Sequence, residues 1–323
     1  MANISVVGAS GIVGLELLKL LESKKFPISR LSIYGSDQSF KKEVTFSSQK
    51  IRVRKLSEAT FTDDDLVFFC TPSEISKKYV PVALKSAKNV IDLSSAYRED
   101  KNACLCIPEI NQNLIKRNRL FASPNCVASI LSLVLFPLHK LFKLKTIIAS
   151  TYQAVSGGGY NLLNTLIQDT KAELTGQKKQ SSAFNVYLHN SNTFDDGYNA
   201  EEKKIISELK QILDLPDLAI SVTAARVPSL RCHSISCHII TENKVDIKKA
   251  ESVIKSTPGV KTIEGPTFAT CNDAANQESI FCSRIRKVPF NDNALELWVV
   301  GDQLLKGAAL NAYQIANFLQ NQL

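Results

Sequence analysis

Ile4-Ser5-Val6-Val7-Gly8-Ala9-Ser10-Gly11-Ile12-Val13-Gly14 joins a short β-rich run to a turn with glycine at every third position. Val13, Leu17, Leu18 and Leu21 follow at helical spacing. Strand, glycine turn and helix in this order put helix N-terminal amides where a pyrophosphate can meet them. Gly8 suits the tight turn, Gly11 the close approach of phosphate and Gly14 close helix–strand packing. Ser10, Ile12 and Val13 would then line the same cradle. The alternative is a turn with a purely structural role.

The pattern repeats beyond this stretch. Leu31–Tyr34, Leu66–Cys70, Asn89–Leu93 and Leu120–Ala122 read as further strands between helical segments. Such alternation predicts an α/β fold with a doubly wound parallel sheet, whose ligands sit beyond the carboxyl ends of the strands. After the second strand, Ser36, Ser39 and Lys41 suit the 2′-phosphate of NADP, whereas Asp37 suits the ribose hydroxyl of NAD.

Length and composition agree with a two-domain globular protein. The 323 residues exceed the size of one ordinary domain, and 44% hydrophobic with 22% charged residues is globular. The net charge of +8 is scattered along the chain, which argues against a nucleic-acid partner and leaves solvated surface or attraction of anionic substrates. The opening residues lack a basic leader followed by an apolar run, and no apolar stretch is long enough for a membrane span. With eight cysteines, this predicts reduced thiols in the cytoplasm and no membrane partner.

Cys126 is the candidate nucleophile. It follows Ser123-Pro124-Asn125 and opens the apolar run from Val127 to Leu133, which reads as a buried helix. Unpaired amides and the helix dipole stabilise a thiolate at such a position. Cys70, Cys104 and Cys106 read as core residues. Cys232, His233, Cys237 and His238 alternate between the two faces of a strand, so no metal site is expected. Among four histidines, His139 and His189 read as structural or solvated. His233 lies near Arg226 and Arg231, a setting for an acid/base beside an anionic substrate.

Taken together, the glycine turn, Ser123-Pro124-Asn125-Cys126, Gln153-Ala154-Val155-Ser156-Gly157, Arg226-Val227-Pro228 through His233, and Leu297–Ala309 resemble the aspartate-β-semialdehyde dehydrogenase family. The resemblance spans nearly the whole chain in order. It implies a Rossmann-like cofactor domain of residues 1–127 plus 307–323, and an α+β catalytic and dimerisation domain of residues 128–306. It implies that Cys126 is the nucleophile and His233 the acid/base. Gln153 would orient substrate, Arg226 hold its carboxylate and Arg98 its phosphate. Glu201 and Lys204 would line the amino-group and phosphate sites, and Asn125 would contact substrate. Ser73, Ser156, Gly157 and Gln303 would touch the cofactor, NADP in this family.

The implied reaction is the reversible reduction of β-aspartyl phosphate to the semialdehyde in lysine, threonine and methionine biosynthesis, by a homodimer or homotetramer. The chain departs from the family at Cys70-Thr71-Pro72-Ser73, where an Ala-Gly pair is usual, and at Gln38, where arginine is common. The alternatives are N-acetyl-γ-glutamyl-phosphate reductase, which has glycine before the cysteine, and a non-catalytic nucleotide sensor. Thr175–Gln180 is polar and reads as a mobile connection.

Overall fold

The computed structural model describes residues 1–177 and 182–321. Residues 178–180 of the expected polar connection therefore lie outside the described residues. The chain divides into two compact units, Met1–Pro124 with Ala308–Leu323, and Asn125–Gly307.

The first unit is built on β1 (Ala2–Val7), α1 (Ile12–Ser23), β2 (Ile28–Gly35), β3 (Leu66–Phe69), α2 (Ser73–Ser86), β4 (Asn89–Asp92) and β5 (Leu120–Ala122). Its seven-stranded sheet runs from Arg54–Lys55 through β2, β1, β3, β4 and β5 to Cys104–Leu105, with every pairing parallel. β1 and β3 are almost wholly buried, as a parallel strand covered on both faces requires. The family's doubly wound parallel sheet is what this unit contains. The closing helix, Leu310–Gln320, belongs to this unit, where Asn311 donates to the Cys106 carbonyl at 2.9 Å.

The second unit begins with α3 (Cys126–Phe142), β6 (Leu144–Gln153), α4 (Ala200–Leu213), β7 (Ala219–Arg226), β8 (His233–Thr241), β9 (Ile280–Val288) and β10 (Asn291–Gly301). Its mixed sheet has the order Tyr187–Leu188, β7, β6, β8, β10, β9 and Val260–Ile263. β6 is parallel to β7 and antiparallel to β8. Burial alternates along β6 from Ile147, with Ile147, Ala149, Thr151 and Gln153 inward and Ile148, Ser150 and Tyr152 outward. That period of two gives the sheet one covered face and one open face.

Three polar side chains occupy the covered face at one end of the sheet. Gln153 is paired in register with Arg226 on β7 and with His233 on β8. All three are buried, His233 completely. Burying such groups opposes folding unless each is satisfied, so a row of three is a cost that packing does not explain.

Candidate active site

Asn125 sets the position of the thiol. Its side-chain oxygen accepts from the Val127 amide at 2.9 Å and from the Ala128 amide at 3.4 Å, capping α3 so that Cys126 becomes the first helical residue. The other end of the same amide donates to Glu201 Oε1 at 2.9 Å, and the Asn125 backbone amide donates to Glu208. Glu201 and Glu208 project from one face of α4, and Gln153 Nε2 also donates to Glu201 Oε1, at 3.2 Å. Cys126 is thereby tied, through Asn125 and Glu201, to the row formed by Gln153, Arg226 and His233.

Glu201 is buried and charged. Burial works against the charge, yet neighbouring His189, donation from Asn125 and Gln153, and the Lys204 ammonium hold its carboxyl below the usual range. Lys204, three residues on, is half-buried.

His233 is fixed by the backbone. The Ala154 amide donates to its Nδ1 at 3.0 Å, so the neutral ring carries its proton on Nε2. That Nε2 is buried and has no partner among the described residues. Burial first, and then the Arg226 guanidinium, push its pKa down to about 3. Arg226 donates through Nη1 to the Ala154 carbonyl at 2.8 Å, while its buried Nε–H is without a partner among the described residues. Two orphaned donors, on the two strands that flank β6, therefore await an acceptor.

Gly157 lies against both. A Cβ there would sit 3.2 Å from Arg226 Nη1 and 3.5 Å from His233 Nε2. Gly307 approaches Cys126 in the same way, since a Cβ on it would lie 2.8 Å from that of Cys126. A π-helical turn, Leu305–Ala309, carries Gly307 to that point, and Asp302 Oδ1 anchors its start through the Leu304 amide at 2.9 Å. Gln303 Nε2 donates to Ser156 Oγ at 2.7 Å, its Oε1 accepts from the Cys232 amide at 2.7 Å, and Ser156 donates to the Leu230 carbonyl. These side chains brace the segments on either side of His233.

Four of the other cysteines are poorer nucleophiles. Burial of the thiol pushes Cys237 up to about 12; at Cys70 burial and then Asp92 do the same, and Cys232 and Cys282 are pushed higher still. Cys126 is half-buried, and none of the eight cysteines forms a disulfide.

Sequence reasoning left two groups without their partners. Arg231 was expected beside the imidazole as a cation for substrate; instead its Nε donates to buried Asp302 at 2.6 Å. His189, expected in a solvated or structural role, has its Nε2 2.7 Å from Arg226 Nη2. Glu208 was overlooked as well, although its spacing from Glu201 on one helical face is a signal that periodicity could have caught.

The first unit holds the expected cofactor residues from Gly8 to Ser73, while Ser156, Gly157 and Gln303 lie in the second. Gly8 has a φ of +82° and a Cβ on it would lie 2.3 Å from the Cys70 carbonyl oxygen, so only glycine fits the turn. Gly11 caps α1 without a side-chain hydrogen bond, which leaves the first-turn amides of Ile12 and Val13 to a phosphate. Ser10 Oγ donates to Ser39 Oγ at 3.2 Å, joining the glycine turn to the exposed turn that carries Ser36 and Lys41. The cradle fits a dinucleotide. Ser73 begins α2 and shares a 2.9 Å hydrogen bond with Ser95. Arg98 is half-buried, its Nε donating to the Ser123 carbonyl at 2.9 Å.

Residues 3–118 match the family model described as semialdehyde dehydrogenase, NAD binding domain, and residues 135–306 match semialdehyde dehydrogenase, dimerisation domain. An aspartate-semialdehyde dehydrogenase of Rickettsia conorii is 37% identical over 331 residues, covering 99% of this chain and 98% of its own. The chain belongs to the aspartate-semialdehyde dehydrogenase family. Its relative in Prochlorococcus marinus, of the same name, is 37% identical and covers 98% of this chain and 95% of its own. Among solved structures, aspartate semialdehyde dehydrogenase II of Vibrio cholerae, complexed with ASA, matches with a TM-score of 0.96 at 29% identity, over 99% of this chain and 98% of that one. As a member of the aspartate-semialdehyde dehydrogenase family the chain has an NAD(P)-binding domain and is an oxidoreductase. No helix among the described residues is long and apolar enough to cross a membrane.

Proposed function

We propose that this protein interconverts β-aspartyl phosphate and aspartate β-semialdehyde, with NADP as the preferred cofactor and Cys126 as the nucleophile. One observation carries the reading: the cap of the Cys126 helix and the Gln153 amide share the Glu201 carboxylate. The thiol is thus built into one polar network with groups suited to an amino-acid substrate.

The chemistry follows from those groups. The Cys126 thiolate attacks the acyl carbon, the C–O bond to phosphate breaks, and a thioester forms. A nicotinamide cofactor, when bound, supplies the hydride. Neutral His233 presents Nε2–H to the oxyanion that develops on the thioester carbon, and collapse of the thiohemiacetal returns the thiolate. Arg226 receives the substrate carboxylate on its vacant Nε–H edge. Glu201, held ionised, receives the α-ammonium group. Gln153 and Asn125 orient the acyl chain, and Lys204 and Arg98 serve the phosphate.

For the cofactor, Gly8, Ser10, Gly11, Ile12 and Val13 would hold the pyrophosphate. Ser36, Ser39 and Lys41 would bind the 2′-phosphate. We assign cofactor binding to the first unit, and catalysis and dimerisation to the second. The open face of the second sheet, with Ile148, Tyr152 and Trp298 on it, suits a homodimer contact. The product serves lysine, threonine and methionine synthesis in the cytoplasm.

Spectrophotometry with the semialdehyde tests the reading. Reduction of NADP should depend on added phosphate and be slower with NAD. Equal rates with and without phosphate would mean that no acyl phosphate is made.

A further inference from the structure

His189 follows the short strand Tyr187–Leu188 that edges β7, with Tyr187 paired to Arg226 and Leu188 to Ala225. Its amide donates to the Ala224 carbonyl at 2.8 Å, so its backbone is pinned beside the arginine. The side chain then meets the guanidinium, with Nε2 2.7 Å from Arg226 Nη2. Arginine has only donors, so Nε2 must accept, the ring must be neutral, and its proton must reside on Nδ1. Nδ1 is buried and has no partner among the described residues. The Ala154 carbonyl holds Nη1 from the other side, which leaves Nε–H as the vacant edge.

We propose that His189 is a positioning residue for Arg226, accepting from its guanidinium so that the vacant edge faces the substrate carboxylate. This rests on the assignment of Arg226 to that carboxylate. The charged groups facing His189 are Arg226 from β7 and Glu201, Glu202 and Lys204 from α4. Burial first, opposed by Glu201 and reinforced by Arg226 and Lys204, moves its pKa below the ordinary imidazole value. The ring is therefore neutral at physiological pH. In acid it gains a proton, can no longer accept, and places a like charge against the guanidinium.

The test compares His189→Ala and His189→Gln with the wild type, measuring KM for semialdehyde and for phosphate from about pH 5 to pH 8. A glutamine amide oxygen reaches the position of Nε2 and does not titrate. His189→Ala should raise the semialdehyde KM about tenfold at neutral pH, the cost of one charged hydrogen bond, and leave the phosphate KM little changed. His189→Gln should keep the neutral KM and lose the acid rise seen in the wild type. An unchanged semialdehyde KM in His189→Ala, an equal rise in both constants, or an acid rise that persists in His189→Gln overturns the proposal. Arg226→Lys separates the two assignments. If it leaves the semialdehyde KM alone, the carboxylate assignment fails; if it raises that constant while His189→Ala does not, only the positioning role fails. Should the alanine variant not fold, 15N spectra of histidine-labelled wild type decide: the proposal requires the Nδ1–H tautomer for His189, and the Nε2–H tautomer excludes it.

Discussion

The Ala154 amide donates to Nδ1 of His233 at 3.0 Å, and this one contact fixes which nitrogen of the buried ring carries the proton. A histidine held this way is a donor at Nε2. His233→Asn retains an acceptor for Ala154 but offers no group at the Nε2 position. It should lower kcat by about 10²- to 10⁴-fold, the usual range for a lost acid or base. His233→Gln, with an amide N–H near the Nε2 position, should recover part of the loss. Equal loss in the two variants would show that the Nε2 donor is not what matters.

The same burial makes His233 a source of acid sensitivity. Its pKa falls from 6.5 to about 3 on folding, so the unfolded chain binds the proton first as pH drops. Above pH 6.5 both states are neutral and the residue contributes no pH dependence. Below it, stability falls at a rate approaching ~1.4 kcal/mol per pH unit until the folded state also protonates. Urea midpoints for wild type and His233→Asn should therefore differ in their acid slopes, with the wild type the steeper; parallel slopes would contradict the burial argument.

Gly307 is a test of how tightly Cys126 must be held. A methyl group there would lie 2.8 Å from the Cys126 Cβ and 3.1 Å from its Cα, too close for either to stay in place. Gly307→Ala should depress kcat by more than tenfold, because a displacement of about 1 Å at the reacting atom can cost about 100-fold. Far-UV circular dichroism should be unchanged. Full activity in a folded Gly307→Ala would mean that the thiol does not need this position.

Asn125→Ala removes a helix cap and a donor to Glu201 together. The cap alone predicts a loss of about 1 kcal/mol in stability. Asn125→Ser restores the cap but not the reach to Glu201, so it should regain stability without regaining kcat. Denaturation and steady-state rates on the two variants separate these effects, and joint recovery of both would show that the Glu201 contact is incidental.

Much of the first unit was legible because its signals are local. Ile4–Val7, the glycines and the following apolar helix lie within one contiguous stretch, and strand, turn and helix each leave their mark there. Cys126 was legible for the same reason, standing between a proline-bearing turn and an apolar helix. The row of Gln153, Arg226 and His233 was not legible from spacing, since it depends on the register of three strands far apart in sequence. Only the resemblance joined those residues. His189 and Arg231 show the limit of local reading. One reads as a structural or solvated histidine and is packed against a buried guanidinium; the other reads as a cation beside an anionic substrate and is neutralised by Asp302, a partner no nearby residue announces.

The central claim is that acyl transfer passes through Cys126, and intact-protein mass spectrometry reads it directly. Enzyme mixed with semialdehyde and oxidised cofactor, with phosphate left out, can form the thioester but cannot release it. Wild type should gain one β-aspartyl group per chain, carried on the peptide containing Cys126, together with one equivalent of reduced cofactor. Cys126→Ala should gain none and turn nothing over. An acyl group on another cysteine, or turnover retained in Cys126→Ala, would contradict the account.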